Sequence, residues 1–213
     1  MEAAEKVMEE TDPYLLTLSL DLGGNSLKSF EVAKRIVSVR PKSDVAVPKA
    51  YNYIGLFLQG QGKMDEAIDA FRKAIELNPR LALVHDNLAN ALSGQDKKDD
   101  ADSEYRKAIE IDPLDPEAHI YLGLFWSEQG KINEATAEFR KATELDPTNA
   151  DYRNGFGILL KNHGALDDAI AEYRKAIELD PADPRPHNNW ANIPTRSKQN
   201  RRSYRGVPKG DRA

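Results

Sequence analysis

Residues 72–79 read RKAIELNP, 106–113 RKAIEIDP, 140–147 RKATELDP and 174–181 RKAIELDP. The four stretches recur every 34 residues, three times running and without insertion. A period of this length marks stacked repeats, in which one unit buries its apolar face only against its neighbours. Each stretch carries a helical spacing of apolar residues and then a proline, which has no backbone N–H and ends the helix. Working outward sets the units at 48–81, 82–115, 116–149 and 150–183, each counted from position 1 to position 34.

Every special position then falls into line. Position 8 is Gly55, Ala89, Gly123 and Gly157, and position 20 is Ala67, Ala101, Ala135 and Ala169. Small residues at both places let two helices approach closely. Position 24 is Phe71, Tyr105, Phe139 and Tyr173, an aromatic expected to fill the space between units, and position 27 is Ala74, Ala108, Ala142 and Ala176. Position 15 is Gly62, Asp96, Gly130 and Gly164, where a left-handed turn is expected and Asp96 is the weaker choice. Asp115-Pro116 and Asp183-Pro184 read as a helix cap followed by a first-turn proline.

This pattern resembles the tetratricopeptide-repeat (TPR) family, and the resemblance covers 48–183 without a gap. It implies an all-α TPR α-solenoid: antiparallel helix pairs in a right-handed superhelix, with first helices lining a concave groove. The departure is at position 4, where Tyr51, His85, His119 and Arg153 stand in place of tryptophan. Upstream, 1–47 reads as a helical N-terminal cap or a degenerate repeat. Within 10–43, Leu16, Leu20, Gly24, Ser29, Ala33 and Pro41 fall at positions 7, 11, 15, 20, 24 and 32.

Composition removes whole classes of function. The chain has no cysteine, which excludes disulfides, thiolate zinc sites and cysteine nucleophiles. The acidic start MEAAEKVMEETD is unlike a secretory leader, and the run Leu15–Leu22 is too short to span a bilayer. A cytoplasmic protein with no membrane association is expected. Seven Lys and Arg with one acid lie in 195–213; removing them from the 30 basic and 35 acidic residues leaves 23 and 34, a net charge of −11. Such a body disfavours nucleic acid.

No catalytic constellation emerges. His85, His119 and His187 share position 4, but equivalent positions on stacked helices lie about 10 Å apart, whereas a metal needs ligands roughly 2 Å from one point. Packing is the expected role, and no metal or cofactor is expected. His163 sits in a turn. Asp112, Asp146 and Asp180 precede prolines as turn formers rather than acid–base pairs. The Arg-Lys pairs at 72–73, 106–107, 140–141 and 174–175 lie on second helices, with Asp69–Lys73 and Asp102–Arg106 expected as i,i+4 ion pairs. There is no phosphate-cradling loop, nucleophile elbow or HExxH. The chain is read as not an enzyme.

The family resemblance implies that positions 2, 5, 9 and 12 of the first helices face the groove. Among these, Asn52, Leu56, Asp86, Asn90, Ile120, Leu124, Asn154 and Ile158 form the candidate partner-binding surface. The carboxylate clamp of the chaperone-tail branch is absent: over 48–149 its places hold Asn52, Leu56, Asn87, Glu117 and Tyr121, of which only Asn87 fits. What remains is a groove dotted with amides beside an apolar strip. Asn side chains donate to and accept from an extended backbone at once. The expected function is a protein–protein interaction scaffold, in an adaptor or assembly role, binding a partner peptide or segment. The alternative is the regulatory TPR segment of a larger enzyme, for example a TPR-bearing glycosyltransferase, whose catalytic part is missing.

A fifth unit opens in register at 184–193, as the first helix of an interrupted repeat, and 194–213 then turns basic and polar. The stretch NRRSYRGVPKGDRA at 200–213 can be encoded so that reading one base later gives TDEAIAEYRKAIEL, close to DDAIAEYRKAIEL at 167–179. The tail is therefore read as frameshifted and disordered. Ile170 and Tyr173 are expected to be only partly covered, and the uncapped C-terminal end to self-associate.

Overall fold

The computed structural model describes residues 26–194, and among these it contains ten α-helices and no strand. They are α1 Ser26–Val39, α2 Ala46–Gly60, α3 Met64–Leu77, α4 Ala82–Gly94, α5 Lys98–Ile111, α6 Pro116–Glu128, α7 Ile132–Leu145, α8 Ala150–Asn162, α9 Leu166–Leu179 and α10 Pro184–Ala191. This is the all-α TPR solenoid class that the resemblance implies. Leu16, Leu20 and Gly24, and the re-read tail from 195 onward, lie outside the described residues.

The chain divides into two compact units, Met1–Phe125 and Trp126–Ala213. In the first, α2 packs on α3 and α4 on α5, with α1 against α2 and α3 against α4. In the second, α8 packs on α9, α7 on α8, and α10 on α9.

Each tight turn inside a pair has the same construction. Gly62, Gly130 and Gly164 have φ of +74°, +73° and +81°, and Asp96 takes the same region at +60°. The next residue's N–H then reaches back to the carbonyl five residues earlier: Lys63 to Leu58, Lys97 to Leu92, Lys131 to Trp126 and Ala165 to Leu160. These bonds close a Schellman turn, which satisfies helix-end carbonyls and demands a left-handed residue. Asp183 caps α10 by accepting from the Arg185 N–H, and Asp115 accepts from the Glu117 N–H at 2.9 Å.

The aromatic at position 24 does more than fill space between units. A Cβ added to Gly55 would lie 2.5 Å from the Phe71 ring, and one on Gly157 2.6 Å from the Tyr173 ring. The ring therefore closes its own helix pair over the position-8 residue. It also reaches forward: Tyr105 meets Phe125 at 5.3 Å between ring centres, and Phe139 meets Phe156 at 5.9 Å. Of the expected partial covering of the last pair, Ile170 is half-buried as expected, but Tyr173 is fully buried, its ring lying against Gly157 of the same pair. Ile193 is also buried, and Arg174 lies over the Trp190 ring at 5.1 Å.

At the other end, Ser29, Ala33 and Ile36 of α1 are buried, the residues that the upstream register puts at positions 20, 24 and 27. Ala33 and Ile36 pack with Ala46, Val47, Ala50 and Tyr53 of α2, and Phe30 stacks on Phe57 at 4.2 Å. No helix among the described residues is long and apolar enough to cross a membrane.

Candidate functional site

Six of the eight candidate residues fall in the first compact unit: Asn52, Leu56, Asp86, Asn90, Ile120 and Leu124. Asn154 and Ile158 fall in the second. Their environments differ sharply. Leu56 and Leu124 are exposed at 42% and 47%, and Ile120 and Ile158 are half-buried. Asn52, Asp86 and Asn154 are buried, and Asn90 is half-buried. The apolar members thus face solvent more than the polar ones do.

The buried amides hold neighbouring repeats together. Asn87 Nδ2 donates to Asn52 Oδ1 at 2.9 Å, and Asn189 Nδ2 donates to Asn154 Oδ1 at 3.0 Å. Both bonds join position 5 to position 6 of the following unit. The N–H groups of Asn52 and Asn154, and a second lone pair on each Oδ1, are their remaining hydrogen-bonding capacity. Asn90 is partly engaged as well, because Tyr105 donates its hydroxyl to Asn90 Oδ1 at 2.7 Å.

Asp86 occupies the same position 5, yet its Oδ1 is buried without a hydrogen-bond partner. The residue 35 places on is Tyr121 rather than asparagine, so the amide donor is missing. Burial, reinforced by the carboxylates of Asp115 and Glu117, pushes the Asp86 pKa up to about 7, with His85 opposing. Burial and the charges of Glu117, Asp86 and Asp115 likewise raise the Tyr121 hydroxyl.

Position 4 is a polar pin between helices. His85 Nδ1 lies 2.6 Å from Glu104 Oε2, and its Nε2 lies 3.0 Å from the Pro79 carbonyl oxygen. Burial alone would lower the imidazole pKa; these two acceptors outweigh it, against Lys107, and hold it above the usual value. Burial would raise Glu104, but hydrogen bonds from His85 and Lys107 bring it below the ordinary carboxylate range. Arg153 repeats the arrangement, donating from Nη1 to Glu172 Oε2 at 3.1 Å and from Nη2 to the Thr143 carbonyl at 3.3 Å. His119 Nε2 lies 3.3 Å from the Pro113 carbonyl oxygen. The position-4 side chains are structural in these contacts.

On the second helices, Arg106 pairs with Asp102 at 2.6 Å as expected. Lys73 does not pair with Asp69; its ammonium lies over the Tyr51 ring, 5.8 Å from the centroid, where the ring face attracts a cation.

Sequence reasoning missed a cavity of about 410 Å³ in the first unit, lined by Lys49, Asn52, Arg80, Leu83, Val84 and Ile111, among others. Arg80 carried the available signal. Its register position, 33, holds Leu114, Thr148 and Ala182 in the other units, so the basic residue is peculiar to the 48–81 repeat.

Comparisons with known proteins agree with this architecture. Tetratricopeptide-repeat profiles match 48–81 and 82–113, and a TPR-repeat profile matches 127–164 and 161–193. No curated protein matches the chain. Among solved structures it is similar to TTC0263, a thermophilic TPR protein in Thermus thermophilus, at 22% identity and a TM-score of 0.69, covering 86% of this chain and 98% of that one. A tetratricopeptide repeat protein from Parabacteroides merdae aligns at 19% identity and a TM-score of 0.69, covering 96% and 77%. YrrB, described as a TPR protein with an unusual peptide-binding site, aligns at 21% identity and a TM-score of 0.60, covering 86% and 95%. At these identities the structures establish a shared fold. The 34-residue period, the left-handed turns and the matched profiles together place the chain in the tetratricopeptide-repeat family.

Proposed function

We propose that the chain binds a segment of a partner protein on the first-helix face of its first compact unit, acting as an adaptor. The observation that carries this reading is the exposure of Leu56, Leu83 and Leu124 at 42%, 53% and 47%. All three sit on first helices at groove-facing positions of the family register. Leu83 also lines the 410 Å³ cavity. Apolar side chains left in water next to a cavity gain free energy when another chain covers them. The amide N–H groups of Asn52 and Asn90 lie on the same helices and suit a peptide backbone carbonyl. The second helices present ion-paired charge, such as Arg106 with Asp102 and Lys107 with Glu104, which gains little from being covered.

The test is a paired substitution. With a partner isolated by affinity capture on the full chain, Asn90→Ala with Leu124→Ala is expected to weaken binding by roughly 2–4 kcal/mol. Lys107→Glu with Arg140→Glu is expected to leave it unchanged. Equal weakening by the second pair overturns the reading.

A further inference from the structure

The step from the 82–115 repeat to the next first helix is acidic in a way that the step before it is not. Position 34 and the following position 2 are Leu81 and Leu83 at the earlier step but Asp115 and Glu117 at this one. Positions 2 and 33 are Leu83 and Leu114 in the 82–115 repeat, exposed at 53% and 71%. Carboxylates and uncovered leucines therefore share this step.

Asp86 belongs to the same place. It is 1% exposed, and its Oδ1 has no hydrogen-bond partner. The position-5 side chains Asn52 and Asn154 each meet position 6 of the following repeat, a place that Tyr121 holds here. Asp86 and Tyr121 both feel the charges of Asp115 and Glu117, so the four groups form one neighbourhood. Among the described residues, His85 is the opposing charge at Asp86, and Glu104 and the Pro79 carbonyl already engage it. Asp115 accepts the Glu117 N–H at 2.9 Å through Oδ1 and keeps its charge.

An acidic side chain entering here would face three carboxyl groups, and an apolar one would leave a buried acceptor without a donor. No three of the described His, Asp and Glu residues are grouped to hold a metal ion, which favours an organic cation with hydrogen-bond donors. Lysine and arginine suit both parts of the step, because their stems lie along apolar surface and their heads donate to carboxylates.

We propose, on the reading that the first helices carry the binding surface, that this step takes a lysine or arginine side chain of the partner segment. Its stem covers Leu83 and Leu114, and its head pairs with Asp115 and Glu117 and supplies the donor that Asp86 lacks. The cation favours the ionised form of Asp86, whose pKa is about 7 without it, so binding releases a proton and tightens as pH rises. His85, raised above 6.5, loses its opposing charge over the same range and acts in the same direction. The Tyr121 hydroxyl is raised above 10 and stays neutral.

The experiment titrates the isotope-labelled full chain with acetylated, amidated hexapeptides Gly-Ser-Leu-X-Ser-Gly, where X is Lys, Gln or Glu. The Lys peptide is expected to shift the Tyr121 ring and Glu117 amide signals and to bind about tenfold tighter than the Glu peptide at pH 8, with Gln between them. That preference should shrink at pH 6, and Asp86→Asn should remove most of the pH dependence. Exposed Glu117 can be reversed with little risk to folding, and Glu117→Lys should invert the order. Asp99→Lys, the same charge change in the first turn of α5, should leave it intact. Equal affinities, or an equal effect of Asp99→Lys, would refute the basic assignment while leaving the groove reading standing. A preference independent of pH would overturn the role given to Asp86. No shift from any peptide would refute the step as a recognition site. Shifts confined to α3 and α5 would overturn the groove reading with it.

Discussion

The repeats at 82–115 and 150–183 share a backbone plan but solve its polar problems differently. At position 4 a titratable His85 bridges Glu104 and the Pro79 carbonyl, where the later repeat has a permanently charged Arg153 bridging Glu172 and the Thr143 carbonyl. At position 5, Asp86 Oδ1 is buried without a partner, whereas Asn154 accepts from Asn189. At position 24 the balance reverses. Tyr105 donates to Asn90, while the buried Tyr173 hydroxyl has no partner because position 9 there is Ile158. Helix-pair geometry is fixed by small residues and turns, so each repeat can carry its own polar defect. The difference teaches that the earlier repeat is the pH-responsive one.

The largest effect is expected at the two bridges. Glu172→Ala leaves Arg153 unpaired at 16% side-chain exposure, a loss of about 3 kcal/mol that should be the same at pH 6 and pH 8. Glu104→Ala should cost less at pH 8 than at pH 6, because His85 can shed its proton. The native pair behaves accordingly. The His85 pKa is raised above 6.5, so its contribution is complete below 6.5 and is lost as pH rises through the folded value. The Glu104 pKa is lowered below 4.5, so its share is present above 4.5 and lost as pH falls through the folded value. Denaturant melts of both variants at the two pH values decide this; equal pH dependence breaks the contrast.

Next in size is Asp86. Its folded pKa of about 7 lies above the ordinary 3.8, so stability falls as pH rises from 3.8 to about 7 and stays low beyond. Asp86→Asn should therefore stabilise the chain by roughly 1–3 kcal/mol at pH 8 and far less near pH 4. A gain independent of pH would mean that the carboxylate is not the buried charge described. The smallest effects are at the tyrosines, where burial pushes the Tyr173 hydroxyl up to about 12. Tyr173→Phe should be neutral or stabilising by up to about 1 kcal/mol, since it removes an unpaired buried hydroxyl, and Tyr105→Phe should cost about 1 kcal/mol. Opposite signs in paired thermal melts sharpen the comparison, and matching losses break it.

Much of this was legible in the residues. The period, Pro at position 32 and Gly at position 15 gave the register, because backbone requirements admit few residue types. The bridges had an unused signal. Where position 4 is His85, His119 or Arg153, position 23 is Glu104, Glu138 or Glu172; where it is Tyr51, position 23 is Ala70. The amide links had one too, since Asn52 and Asn154 are each followed 35 residues later by asparagine and Asp86 by Tyr121. Beyond the odd basic residue Arg80 the cavity was not legible, because its lining comes from three helices and two connecting segments. The burial of Asn52, Asp86 and Asn154 was hidden for a related reason: a position can face the groove side and still be covered by the next helix.

Hydrogen exchange on the full chain, with and without an affinity-captured partner, tests the central claim most directly. Added protection is expected on α2, α4 and α6, including the turns around Arg80 and Leu83, with α3 and α5 unchanged. Protection concentrated on α3 and α5 would contradict it.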